Sequence, residues 1–120
     1  MGWGFLAKGK VTNKNIDKME RKISIKGVQY TMKHCVRARM MHESISGKMW
    51  SLDTMSDQYI YFYSCILAGT KNVKLEFDEF LNIMDENPAL LKEFQEFASD
   101  ALKAEAAFLK PKKGDGSGKN

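Results

Sequence analysis

Ten consecutive residues, YIYFYSCILA from Tyr59 to Ala68, carry no charge, no proline and no glycine. A helix that is apolar almost all round has to be central and contacted on several sides. A buried strand would also suit Tyr, Ile and Phe. Length and flanks decide for the helix: Ser56 and Asp57 offer an N-terminal cap before Gln58, and Gly69 closes the run. We therefore expect a helix over 58–68 with Tyr59, Phe62, Tyr63, Ile66 and Leu67 in the core. The run is far shorter than the ~20 apolar residues of a membrane span, and no other stretch approaches that length.

The remaining elements must supply the walls of that core. In KISIKGVQYTMK, Ile23 and Ile25 alternate with polar residues, Lys26-Gly27 permits a tight turn with positive φ, and Val28, Tyr30 and Met32 alternate again. This predicts a β-hairpin with one buried face, and two strands alone are marginal in water, so that face must lie on helices. From His34 to Ser46 the spacing Val36, Met40, Met41, Ile45 predicts a helix with those residues inward, Arg37 and Arg39 outward, and Gly47 at its end. Phe77, Phe80, Leu81 and Met84 repeat at helical spacing up to Asn87-Pro88, which starts another helix because Pro at the first position loses no needed donor. There Leu90, Leu91, Phe94, Phe97, Ala98, Ala101 and Leu102 keep one face apolar before the pattern weakens through KAEAAFLK.

The expected fold class is α+β: an N-terminal hairpin packed on a mainly α-helical bundle of about four helices. With 120 residues the chain suits one core. We place an arm at 1–21, a single globular domain at 22–109 and a disordered basic tail at 110–120, where PKKGDGSGKN offers nothing to bury. The arm is read as flexible or docking; Trp3, Phe5 and Leu6 are its only substantial apolar side chains, able to anchor a partner or to fold back onto the core.

Charge and motifs narrow the chemistry. The net charge of +4 is uneven: 71–109 carries a net −5, and basic excess sits mostly towards the two ends. Such a distribution supports weak electrostatic steering at best. Cys35 and Cys65, without a secretory leader in MGWGFLAKGK, suit a reducing cytoplasm and free thiols. FDEFLNIMDEN resembles the flank of an EF-hand, yet no window supplies oxygen ligands at the required loop positions with a central Gly, so its acids read as a solvated face. His34, Cys35, His42 and Cys65 have no zinc-ligand spacing and read as a buried thiol and partly exposed histidines. There is no phosphate-binding glycine loop and no nucleophile elbow, so no enzyme and no cofactor are expected. A basic helix end formed by Lys33, Arg37 and Arg39 is the alternative, a small nucleic-acid-binding protein; it lacks the exposed aromatics that stacking on bases requires, and nucleic acid is disfavoured as a partner. The eight methionines suit an adaptable binding groove, although core filling is their commoner use.

The succession of KISIKGVQYTMK, VRARMMHESISGK, DQYIYFYSCILAG and FDEFLNIMDENPALLKEF resembles the phage tail assembly chaperones, in particular the small ones of phages and prophages of the Bacteroides group. The resemblance covers about 22–109, and the arm departs from the usual start. It implies a non-enzymatic assembly factor of the host cytoplasm that coats the tape-measure protein, helps recruit the tail-tube protein and is missing from the mature virion. Many such proteins have a frameshifted longer form, for which Lys112-Lys113-Gly114 is the candidate stretch, and self-association is compatible with this role. The expected contact residues are Trp3, Phe5, Phe94, Phe97, Leu102, Phe108 and Leu109, with packing inside the domain as the competing role, above all for Phe94 and Phe97.

Overall fold

A computed structural model describes residues 18–109. They form an antiparallel hairpin, β1 (Glu20–Ile25) and β2 (Val28–Lys33), followed by α1 (Val36–Ser46), α2 (Met55–Gly69), α3 (Phe77–Glu86) and α4 (Ala89–Leu109). The α+β expectation holds, with four helices among the described residues. Trp3 and Phe5 lie outside them, as does the tail at 110–120.

The hairpin turns at Lys26 and Gly27, both at positive φ (52° and 79°), the pairing that matches the right-handed twist of its strands. Its register sets Ile25 opposite Val28, Ile23 opposite Tyr30 and Arg21 opposite Met32. Ile23, Ile25 and Met32 are buried and Tyr30 is half-buried, whereas Val28, expected inward, is exposed beside the turn. β1 begins at Glu20, so two residues assigned to the arm belong to the sheet. One of them, Arg21, lies 5.8 Å from the Phe97 ring centroid and pairs with Asp100 at 2.9 Å.

Helix α2 packs against β2, α1, α3 and α4, as a helix apolar on all sides must. Phe62, Tyr63 and Ile66 are buried as expected, while Tyr59 and Leu67 are half-buried and Tyr61 and Cys65 complete the interior. Its cap is Thr54, not Ser56-Asp57. The Thr54 hydroxyl accepts the Asp57 backbone N–H at 3.0 Å and donates to the Asp57 carboxylate at 2.9 Å. The Thr54 side chain thus satisfies one of the free N–H groups of the first turn and also holds the Asp57 carboxylate, and the helix starts at Met55.

At the other end, Thr70 Oγ1 accepts from Thr31 N–H at 2.8 Å and donates to Thr31 C=O at 3.0 Å, so the helix end covers the free edge of β2. This approach requires Gly69, because a Cβ there would collide with the Thr31 carbonyl, whose carbon would lie 2.9 Å away. Gly69→Ala is expected to cost about 1–3 kcal/mol through overpacking against backbone, read as a lower urea midpoint with unchanged m-value. An unchanged midpoint would mean that the strand and the helix end do not meet as described.

The core continues into an aromatic stack. Phe62 lies parallel to Phe94 at 4.8 Å and edge-on to Phe80 at 5.1 Å, and Tyr63 donates its hydroxyl to the Leu75 carbonyl at 2.6 Å. Phe94 and Phe97 are 1% and 0% exposed, the packing inside the domain that competes with partner contact for these two residues. Leu102 is half-buried, and α4 continues as a helix to Leu109 where the sequence pattern weakens.

The largest departure is the rotation of α1. Val36, Met40 and Ile45, expected in the core, are exposed; Ala38 and His42 face inward in their place. Asp57, on the first turn of α2 and 1% exposed, explains this. A buried carboxylate needs partners, and His42 Nε2–H donates to it at 3.1 Å while Lys48 reaches it at 3.4 Å. Small Ala38 lets the two helices approach closely beside this pair, and turning the methionine face inward would strand Asp57.

Candidate interaction surface

Rotating α1 outward leaves a band of flexible apolar side chains on the surface. Val36 is 66% exposed and Met40 62%, with Met41 half-buried alongside; Ile45 is exposed too but stands about 180° round the helix from Val36. At the end of α4, Phe108 (58%) and Leu109 (69%) are also open. Two shallow depressions join these groups and share Val36. One of about 560 Å³ lies along α1 between Val36, Met40 and Met41. The other, about 430 Å³, lies between Met19, Val36, Phe108 and Leu109.

A polar clamp holds the second depression in shape. Glu105 on α4 accepts from His34 Nε2–H at 2.8 Å and pairs with the Arg39 guanidinium. A carboxylate only accepts, so the His34 proton sits on Nε2 and Nδ1 accepts the Tyr61 hydroxyl at 2.7 Å. The Arg39 guanidinium also stacks 4.8 Å from the Trp50 ring centroid, and Trp50 meets Tyr61 edge-on at 5.4 Å. The clamp thus ties the last turns of α4 to the β2–α1 junction and to α2.

Burial and the neighbouring Arg39 charge push the His34 pKa below its ordinary 6.5, against the pull of Glu105. The Arg39 hydrogen bond, with help from His34, holds Glu105 below the ordinary carboxylate range. Asp57 is also held low: burial alone would raise it, but Thr54, Lys48 and His42 outweigh that. As pH falls, the unfolded chain takes up a proton on His34 below 6.5 before the folded chain does, so stability declines from there. A second decline follows below the ordinary carboxylate values near 4, where Glu105 and Asp57 are ionised only in the folded state. Urea unfolding at pH 7.5 and 5.5 should show the first stage, reduced in His34→Asn; equal midpoints at the two pH values in the wild type would contradict it.

The other sequence expectations are redistributed. Both histidines, expected to be partly exposed, are buried at 3% and 0%. Cys65 is buried and its thiol pKa is pushed up, the reverse of an activated nucleophile, and Cys35 is half-buried and free. Lys33, Arg37 and Arg39 do not make one basic face: Arg39 is engaged by Glu105 and Trp50, Lys33 lies 3.8 Å from Glu20, and Arg37 stands among apolar neighbours. Among the described residues no group of three or more His, Cys, Asp or Glu could hold a metal ion, and no helix is long and apolar enough to cross a membrane.

Among the described residues, the expected contact residues that lie together in the open are Phe108 and Leu109. The missed members are Val36 and Met40; besides the high methionine content, the signal for them in the sequence is Asp57, an acid at the head of the most apolar helix, which demands a partner from elsewhere. Set against known proteins, the chain matches no family model, no curated protein and no solved structure.

Proposed function

We propose that this protein is a phage tail assembly chaperone, a non-enzymatic factor of the host cytoplasm that binds the tape-measure protein, helps recruit tail-tube subunits and leaves before the virion is complete. The observation that carries the reading is the exposed band Val36, Met40, Phe108 and Leu109 on a fold whose core is already filled by α2 and its aromatic partners. Exposed apolar groups gathered on one surface mark interaction sites, and thioether side chains repack against irregular surfaces. A tape-measure protein is a long helix with an apolar stripe, and α1, about 16 Å long, matches roughly three turns of such a helix. The sequence resemblance adds the tail-tube partner, the frameshifted longer form and self-association, none of which the band requires.

Co-expression with the tape-measure gene of the same locus, followed by pull-down and size exclusion, tests the reading. The wild type should co-elute with a soluble tape measure. Val36→Glu with Met40→Glu, or Phe108→Ser with Leu109→Ser, should lose that co-elution while unfolding at the wild-type urea midpoint. A tape measure that aggregates equally with and without the wild-type protein would remove the chaperone reading.

A further inference from the structure

The apolar band has a candidate occupant within the chain. The described residues begin at Lys18 and end at Leu109, and both ends open onto the same depression, since Met19 and Leu109 line it together with Val36 and Phe108. The continuation past Leu109, KPKKGDGSGKN, holds no side chain that gains from leaving water. The segment before Lys18 is different: MGWGFLAKGKVTNKNID brings Trp3, Phe5 and Leu6 together, the pattern of an aromatic anchor with aliphatic support. Trp3 precedes Met19 by 16 residues. A chain of that length spans up to about 50 Å, about three times the ~16 Å length of α1, so every point of the band is within reach.

We propose that residues 3–6 dock on the band formed by Val36, Met40 and Met41 with Phe108 and Leu109, an intramolecular cover over this protein's own interaction surface. Tethering makes the encounter intramolecular, so an interface too small to hold two separate molecules can suffice. Charge does not oppose it. The carboxylates bordering the depression, Glu20 and Glu105, are already paired with Lys33 and Arg39, and the docking residues carry no ionised side chain. A cover of this kind would shield the methionines until a stronger apolar helix displaces it. That last consequence rests on the chaperone reading; the docking itself does not.

The full chain, labelled with ¹³C at its methionine methyls, tests the docking. Ring currents from Trp3 and Phe5 should displace the Met40 and Met41 resonances, and Trp3→Ser with Phe5→Ser should move both by several linewidths while Met84, buried on α3, stays in place as a control for folding. The wild-type positions should persist on dilution at the sedimentation mass of a monomer. Met40 and Met41 resonances that do not respond to Trp3→Ser with Phe5→Ser would overturn the proposal. Positions that return to those of the double variant on dilution, as a dimer dissociates, would also overturn it, in favour of exchange between two copies. If the docking holds, the same double variant should capture more tape-measure protein than the wild type; failure of that arm alone would count against the chaperone reading and leave the methyl shifts standing.

Discussion

Phe94→Ala is expected to cost about 3–5 kcal/mol, a large share of the roughly 5–15 kcal/mol that holds a domain of this size together. The ring is 1% exposed, stacks on Phe62 at 4.8 Å with planes 7° apart, and meets Tyr61 edge-on at 6.2 Å. Removing it opens a cavity between α2 and α4 that neither helix can fill without moving, because each is fixed elsewhere. α2 is joined to β2 at Thr70, and α4 is clamped through Glu105. Urea unfolding followed by circular dichroism would read the loss as a fall in midpoint. Phe108→Ser with Leu109→Ser supplies the contrast: both residues are exposed, so that pair should stay within about 1 kcal/mol of wild type. A wild-type midpoint for Phe94→Ala would return Phe94 to the surface and overturn the packing of α4.

His42→Leu should be nearly as damaging, at roughly 2–4 kcal/mol, even though leucine is apolar and of similar size. The loss comes from the group left behind. Asp57 stays buried and ionised, held by Thr54 and the half-exposed Lys48, with one of its charge-assisted hydrogen bonds gone. His42→Leu combined with Asp57→Asn removes that stranded charge, so the double variant should recover part of the loss, and a double-mutant cycle would read the coupling. If His42→Leu were as stable as wild type, the orientation of α1 would need another cause, and the exposure of Val36 and Met40 would lose its explanation.

How far the sequence reveals this protein depends on how local each determinant is. The hairpin is legible because strand alternation and the Lys26-Gly27 turn act within a dozen residues, and the observed positive φ values fall at that dipeptide. The extent of α3 and the start of α4 are legible for the same reason, through Asn87-Pro88. The cap that local rules predict for α2 falls two residues late because Ser56-Asp57 satisfies the same rule as Thr54; the choice between them lies in where Asp57 must point. Among the contact residues, Phe108 and Leu109 could be read from an apolar pair beyond the end of the core pattern. Phe94 and Phe97 could not be separated from a binding face by spacing alone, since a helix face suited to a core suits a partner equally well.

The central helix, the hairpin, the order of six elements and the α+β class follow from local patterns, because an uncharged ten-residue run, a two-residue alternation and helix punctuation are properties of neighbouring residues. Which side of α1 faces inward depends instead on a contact between distant residues. Val36, Met40 and Met41 make one side of α1 apolar, and the local pattern alone would bury it. The opposing preference arises 15 residues away in sequence, where Asp57 on α2 enters the interior and takes His42 as its partner. Burying two aliphatic thioethers stabilises by a few kcal/mol, while leaving a buried carboxylate unpaired costs more. The polar pair therefore sets the rotation, and the methionines are left at the surface.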